Sequence, residues 1–474
     1  MPLNNKPPPA GVLAATPHVI DYYPPIKPAS RTRLQAVAIT VLLTIMTVFS
    51  LGTFFLLSVS IHARPSSSPI KNVVVLVQEN LSFDVFAGGL TYNPDIDGVV
   101  NHTYCNPANV SDPASPQVCA QSTAKNVAAD DPDHSIAGGN QQVYSTYHPH
   151  LDAHAPSMQG FVSEQIAAYG LDADLPRAAE VINYYSPDHV PVFNALASNY
   201  VLFDRWFAAV PGPTNPNRAY LTSGTSAGHG ANDNDFLTSS LPQVSIFQQL
   251  SAANLSWTNY SNTTDFLPDA QFYAWTQSSG AAATHVKPLD QFFADAAAGA
   301  LPQFSWINPE CCQYTSFHPP SPINMGEAFV KRIYDALRAS PQWKDTLFVL
   351  TFDEHGGFAD HVSPPEGVPP GDALAYSEQA PDGKTTTFRF DRLGVRVPTV
   401  LVSPWVGKGV VQGRPGGAGE GEFTHTSILK FVAELWGLDV LTPRVEWSAS
   451  FGNLVTNVFR ADAVERLPEP AGEW

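Results

Sequence analysis

Asn72-Val73-Val74-Val75-Leu76-Val77-Gln78 runs straight into Glu79-Asn80, and Thr346-Leu347-Phe348-Val349-Leu350-Thr351 runs, one residue later, into Asp353-Glu354. Both stretches are short, apolar and rich in β-branched side chains, the composition of strands buried on both faces of a parallel sheet. In open α/β sheets the ligand crevice lies beyond the carboxyl ends of the strands. Two strands of one sheet that each end in carboxylate and amide oxygens would build a hard-cation site from segments far apart in the chain. Pro398–Val402 is a third strand candidate, and Val192–Ser198, Gly326–Ala339 and Thr426–Trp436 read as helices, the last starting at a cap on Thr424 or Thr426. Strands and helices interleave along the whole length, which predicts an α/β fold with a mostly parallel sheet. Residues 225–300, rich in Ser, Asn, Ala and Asp, read as an insertion or cap over the site.

The chain has 474 residues, 44% hydrophobic and 11% aromatic, enough for a large packed core. Only 14% are charged, and 25 Lys and Arg stand against 43 Asp and Glu, a formal charge of −18. An acidic chain without a basic cluster repels polyphosphate backbones, so nucleic acid is not expected as a partner.

Leu34–Ile61 contains no charged residue and exceeds the roughly 20 residues that a bilayer-spanning helix needs. Lys27, Arg31 and Arg33 precede it and His62 and Arg64 follow it, a bias that favours a cytoplasmic N-terminus. A cleaved signal peptide, giving a secreted protein, is the main competitor. Against it stand the Pro-rich stretch in front (Pro7-Pro8-Pro9, Pro24-Pro25) and the length of the apolar run. The expectation is a single-pass membrane protein: residues 1–33 a Pro-rich cytoplasmic tail, 34–61 a transmembrane anchor, 62–70 a linker, and the remainder luminal or extracellular. N-glycosylation triplets at Asn101, Asn109, Asn254, Asn259 and Asn262 agree with that side, whereas Asn80-Leu81-Ser82 is expected to be buried and unmodified. Of Cys105, Cys119, Cys311 and Cys312, the first two flank a polar loop that suits a local disulfide, and the spacing leaves the pairing of all four open.

Four segments carry the chemistry. Glu79-Asn80-Leu81-Ser82-Phe83-Asp84 follows a strand, and Thr214-Asn215-Pro216-Asn217-Arg218 leads into a helical run. A hydroxyl at a helix N-terminus meets free N–H groups and a positive dipole end, a cradle for phosphate, and Arg218 could add bidentate recognition. His318-Pro319-Pro320 lies between Glu310 and Gly326-Glu327. In Asp353-Glu354-His355-Gly356-Gly357-Phe358-Ala359-Asp360-His361-Val362, five of ten residues can titrate or bind metal. Each segment alone has a plainer reading: acids after strands are often turn residues, Thr214 could be only a helix cap, and Arg392 and Arg396 suit an ion pair as well as a phosphate. His425 could be structural or a substrate contact.

Together, and with Asp131-Pro132-Asp133-His134, Gly394-Val395-Arg396-Val397-Pro398, Ser403-Pro404-Trp405 and His425-Thr426-Ser427, these segments resemble the phosphoesterase family of phosphatidylcholine-type and non-specific phospholipases C and acid phosphatases. The motifs run in family order over about residues 70–440. The resemblance implies an alkaline-phosphatase-like three-layer α/β sandwich, residues 71–460 as one catalytic domain, and metal-assisted phosphoester hydrolysis. Carried over, Glu79, Asn80, Asp353 and Glu354 are metal ligands, and oxygen and amide donors favour Ca, Mg or Mn. Thr214 is the nucleophile, passing through a phospho-threonine intermediate. His134 and His318 contact phosphate or transfer protons, Asn217 and Arg218 bind substrate, and His355 and His361 orient the carboxylates. Leu81 stands where the family has Arg, which points to altered support or specificity rather than lost activity. The expected substrate is a phospholipid or a small phosphate ester. The alternatives are an acid phosphatase or phosphodiesterase on soluble esters and, from another class, a catalytically silent, membrane-anchored binding ectodomain.

Overall fold

A computed structural model describes residues 68–262, 266–310, 315–416 and 421–474. They fold around an eight-stranded sheet. Its strands are β1 (Asn72–Gln78), β2 (Val201–Phe203), β3 (Trp257–Ser261), β4 (Val286–Lys287), β5 (Phe304–Asn308), β6 (Thr346–Phe352), β7 (Thr399–Val402) and β8 (Val410–Gln412). They lie in the order β8-β2-β7-β6-β1-β5-β3-β4. Every pairing is parallel except the two made by β7, so β7 alone runs against the rest. The fold is mixed α/β with a large, mostly parallel central sheet. β1 and β6 sit side by side at its middle with every residue buried, which is why both read as unbroken apolar runs rather than as alternating ones.

The helices needed below are α1 (Ile136–Tyr144), α2 (Pro191–Asn199), α3 (Thr214–Ser223), α4 (Ile246–Ala252), α5 (Leu289–Ala298), α6 (Ile323–Ala339) and α7 (Thr426–Trp436). Successive strand side chains alternate faces, and the register decides which helix each one meets. Phe304 and Trp306 share a face with Val73 and Val75. On that face Phe304 meets Trp436 of α7 at 6.5 Å between ring centres, and Trp306 meets Phe247 of α4 at 6.2 Å. On the other face Phe352 packs at a tilt against Phe86, which touches Phe193 of α2, and Tyr260 meets Phe292 of α5 at 5.4 Å. Helices therefore cover both faces, and one apolar cluster runs through all of them.

α6 buries Phe329, Val330, Ile333, Tyr334 and Leu337, spaced to line one helical stripe. Glu327 on the same stripe accepts from the first free N–H groups of α2, Val192 at 2.8 Å and Phe193 at 2.7 Å. It ties two helices together rather than facing the site. α7 spans the expected residues, but neither Thr caps it. His425 holds the cap position, and the Ser427 hydroxyl accepts from the Thr424 N–H at 3.1 Å.

Residues 225–300 are not a simple cap. They contribute α4, β3, β4 and α5, and β3 pairs with β5 from Trp257–Phe304 to Ser261–Asn308, extending the sheet to its edge. The polar composition hid a strand, Trp257-Thr258-Asn259-Tyr260-Ser261, whose aromatic and β-branched residues are buried. Within it Asn259 is buried, its amide donating to Trp306 O at 3.3 Å and Asn308 Oδ1 at 2.8 Å, so folding removes it as a glycan acceptor. Asn109, Asn254 and Asn262 lie exposed. A disulfide joins Cys105 to Cys119, which face each other across a short hairpin. Cys311, Cys312 and the expected anchor Leu34–Ile61 lie outside the described residues. Among the described residues no helix is long and apolar enough to cross a membrane.

Candidate active site

β1 and β6 are parallel and in register from Asn72–Thr346 to Gln78–Phe352, so the residues that follow emerge together at one edge of the sheet. Glu79, Asn80, Asp353 and Glu354 are all buried there. The turn after Glu354 passes so close to Asn80 that a Cβ on Gly356, whose φ is +62°, would lie 2.1 Å from the Asn80 carbonyl oxygen. At Gly357, φ +72°, a Cβ would meet the Asp133 carbonyl at 2.6 Å. The Gly-Gly pair lets three segments converge.

Thr214 is the first residue of α3, with Pro213 in the cap position. Its hydroxyl donates to Glu79 Oε1 at 3.0 Å, so it does not cap the helix but points across to the end of β1. One turn on, Arg218 lines the same cavity with its guanidinium turned to the acids: Nε to Asp353 Oδ2 at 2.9 Å, a terminal nitrogen to Asp269 at 3.4 Å, and another 3.8 Å from Glu79. This charge is what lets three acids lie buried side by side. Burial pushes the Asp353 carboxyl well up, against the pull of Arg218. Asn217 corrects the expectation of a substrate contact. Its amide nitrogen donates to the carbonyls of Val210, Gly212 and Pro213, and its oxygen accepts from Val210 N–H at 3.0 Å. Fully buried and committed at both ends, it holds the loop that presents Thr214.

His134 and His318 stand 6.2 Å apart, ring centre to ring centre, edge to face. Each pins its Nδ1–H to a backbone carbonyl of its own loop, Pro132 at 2.7 Å and Pro319 at 2.6 Å, leaving Nε2 directed elsewhere. Nε2 of His134 lies 3.8 Å from Glu354, and Nε2 of His318 lies 3.6 Å from Asp131. Burial alone would keep His134 neutral, but Glu354 and Asp131 outweigh it and raise its pKa to about 9. Glu354 is itself pushed up by burial, with His134 opposing. Glu79, Asp131, His134, Thr214, Arg218 and His318 line one cavity of about 250 Å³, together with the apolar Phe266, Leu267 and Phe272.

Three further histidines of the sequence motifs, His355, His425 and His361, do not line this cavity. His355 is buried, with Nε2 3.0 Å from Gln142 Oε1 and Nδ1 3.8 Å from Glu354, and burial lowers its pKa to about 3. His425 accepts from Trp206 Nε1–H at 3.4 Å and donates Nε2–H to the Asp353 carbonyl, a structural role in a neutral ring. His361 is not among the strand-end carboxylates. It bonds Asp84 and Asp97, in a cluster that also holds Asp360 and Arg396. Arg396 pairs with Asp84 and Asp360 and stacks on Phe83, so of its two expected roles it takes the ion pair. Arg392 is buried between the rings of Tyr144 and Phe388.

A divalent cation suits the strand-end donors. Neither amide atom of Asn80 and not Glu354 Oε1 reaches a hydrogen-bond partner, although all are buried. Unsatisfied buried polar groups cost about 1–3 kcal/mol each, more when charged, and a cation is the partner that carboxylate and amide oxygens would share. Glu79, Asn80, Asp353 and Glu354 are the residues that would hold it.

Sequence reasoning missed Asp269, Asn308 and Asp131. Asp269 accepts from Trp306 Nε1–H and Asn308 Nδ2–H, both at 2.8 Å, and meets Arg218. Asn308 ends β5, the third strand of the same parallel edge, and the strand-end rule applied to Phe304–Asn308 would have found it. Asp131 lies three residues before His134 in the same motif, where a carboxylate next to proline reads as a turn residue. Asp269 opens a single short 3-10 turn, Asp269–Phe272, too brief to leave a local pattern.

The phosphoesterase family profile matches residues 70–439. The protein named non-specific phospholipase C6 of Arabidopsis thaliana is 37% identical over 442 residues, covering 88% of this chain and 79% of the relative. A non-hemolytic phospholipase C of Pseudomonas aeruginosa is 26% identical over 446 residues, covering 87% of this chain and 60% of that one. A solved protein of the alkaline phosphatase superfamily from Vibrio parahaemolyticus overlaps at a TM-score of 0.33 and 13% identity, over 55% of this chain and 63% of that chain, too loosely to carry an argument. The matched span takes in both strand ends, Thr214 and the cavity histidines, and on the strength of that match and of the Arabidopsis relative the chain belongs to the phosphoesterase family.

Proposed function

We propose that this phosphoric ester hydrolase acts as a phospholipase C, through a phospho-threonine intermediate, in an alkaline-phosphatase-like sandwich. The observation that carries the reading is the Thr214 hydroxyl at the start of α3, 3.0 Å from Glu79 and within the cavity that His134 and His318 share. Glu79 orients the hydroxyl and draws on its proton. Attack on phosphorus forms the Thr214 O–P bond as the bond to the leaving alkoxide breaks, and His318 donates a proton to that alkoxide. His134 and Arg218, which line the same cavity, balance the charge on the phosphoryl oxygens. Glu79, Asn80, Asp353 and Glu354 would hold a divalent ion, with Ca, Mg or Mn favoured by the oxygen donors, and the chemistry it would supply there is Lewis-acid polarisation of the phosphoryl group. Water then cleaves the Thr214 ester and restores the hydroxyl.

Phe266, Leu267 and Phe272 favour a lipid over a soluble ester, because an apolar wall beside the phosphoryl position suits the diacylglycerol side of a phospholipid. The membrane anchor over Leu34–Ile61, with the catalytic unit luminal or extracellular, is proposed on its uncharged length. Protease added to the cytosolic face should remove only the tail, whereas a product starting near residue 65 in every preparation would mean a cleaved signal. The substrate reading is tested on purified protein with phosphatidylcholine, phosphatidylglycerol, p-nitrophenyl phosphate and its choline diester, each with and without chelator. Release of diacylglycerol, lost on chelation, is the expected result. Turnover of the monoester alone would make the protein an acid phosphatase, and no turnover of any ester would leave a binding ectodomain.

A further inference from the structure

On the far side of the motif from the strand-end acids, Asp97, His102 and His361 bring one ligand atom each within 4.8 Å of the others. Asp97 Oδ1 lies 3.1 Å from His361 Nε2 and 3.4 Å from His102 Nε2. Zinc–nitrogen and zinc–oxygen bonds of about 2.0–2.1 Å in a tetrahedral arrangement separate ligand atoms by about 3.3 Å. The two separations from Asp97, 3.1 and 3.4 Å, already match that spacing, and the third is within 4.8 Å.

We propose that Asp97, His102 and His361 form a second cation site, separate from the strand-end donors, that takes zinc or a similar borderline divalent ion and staples the 97–102 loop to the end of the 353–362 motif. The orientation of His361 supports it independently. Its Nδ1 faces Asp84 Oδ2 at 2.6 Å, and Asp84 is fixed in turn by Arg396 at 2.9 Å. A buried carboxylate on the far ring nitrogen is the support that metal-binding histidines carry, because it fixes the tautomer and aims Nε2. Charge agrees: Asp84, Asp97 and Asp360 surround one arginine, Arg396. Two imidazoles and one carboxylate suit zinc better than calcium or magnesium, which prefer all-oxygen cages. Asp97 and His102 are each about half exposed, so an ion can enter and a water can complete the set.

The ion does no chemistry on the ester; its effect is mechanical. The test titrates chelator-stripped protein with zinc chloride at neutral pH by calorimetry, comparing wild type with His102→Ala, an exposed change that leaves the core untouched. Wild type should bind one more zinc per chain than His102→Ala, and zinc should raise its melting temperature further. Basal activity with the strand-end site loaded should match. Equal stoichiometry and equal thermal shifts in the two proteins would overturn the site and leave His361 as a cation bridging two carboxylates.

Discussion

The two acidic motifs each divide between a pair of neighbouring regions built on opposite terms. Glu79 and Asn80, with Asp353 and Glu354, stand at the strand ends, where buried atoms of Asn80 and Glu354 lack partners and the Thr214 hydroxyl bonds Glu79. A few residues later the same segments supply Asp84, Asp360 and His361, where Arg396 pairs with both acids and His361 bridges Asp84 to Asp97 from a separate loop. The first region spends stability to hold unsatisfied charge where a ligand can reach it; the second returns rigidity to the loops that carry the first. At the strand ends the unpaired atoms of Asn80 and Glu354 sit among the donors a ligand would share, whereas around Arg396 the acids already have their counter-charge.

Breaking the first region should cost turnover without costing the fold. Thr214→Ala should lower turnover by about three orders of magnitude or more, with substrate binding and melting temperature near wild type, while Thr214→Ser keeps measurable activity because the attacking oxygen survives. Glu79→Ala should be comparably inactive with no loss in melting temperature, since it removes crowding among buried acids. If either variant were fully active, the nucleophile would lie elsewhere.

Breaking the second region should do the reverse first. Arg396→Met leaves Asp84 and Asp360 buried without a counter-charge, and removing one partner of a buried pair costs about 3–5 kcal/mol. Urea denaturation should show that loss. A change below 1 kcal/mol would mean that the acids simply take up protons, a response already open to Asp360, which burial raises to about 6 against Arg396.

Asn217 lies between the two. Asn217→Ala should cost about 1–3 kcal/mol, the price of the loop carbonyls it satisfies, and should lower turnover less than Thr214→Ala by loosening the loop. A rise in KM with kcat and stability unchanged would restore it as a substrate contact.

A further effect depends on pH. Burial works against a charged His361, but its bonds to Asp84 and Asp97 prevail and raise its pKa to about 10. The folded state therefore holds this proton more tightly than the unfolded chain, whose imidazole titrates near 6.5. The stability so gained is complete below about pH 6.5 and drains away as pH climbs through about 10. In chelator, the melting-temperature gap between wild type and His361→Gln should be widest in acid and narrow toward pH 10. A gap independent of pH would assign the role of His361 to packing alone.

Strand identity at β1 and β6, the acids that follow them and Thr214 before a helix were legible because each is a local pattern: a run of buried β-branched residues, then a polar break. Arg218 was legible as a site residue but not as the counter-ion of Asp353, because that pairing spans 135 positions. Asn217 was misread for the same reason: an amide looks alike whether it faces a ligand or three carbonyls of its own loop. β3 stayed hidden because Asn259 breaks the apolar pattern, and only the partners Trp306 and Asn308 explain how an asparagine is buried in a strand. By itself the amino-acid sequence determined the parallel core, the family and the donors at two strand ends, since propensity and motif act over a few neighbouring residues. Tertiary structure alone decided which of those donors are satisfied, that Asp269 and Asn308 join them, and where each acidic motif passes from site to support, because pairing of buried charge depends on residues that meet only when the chain has folded.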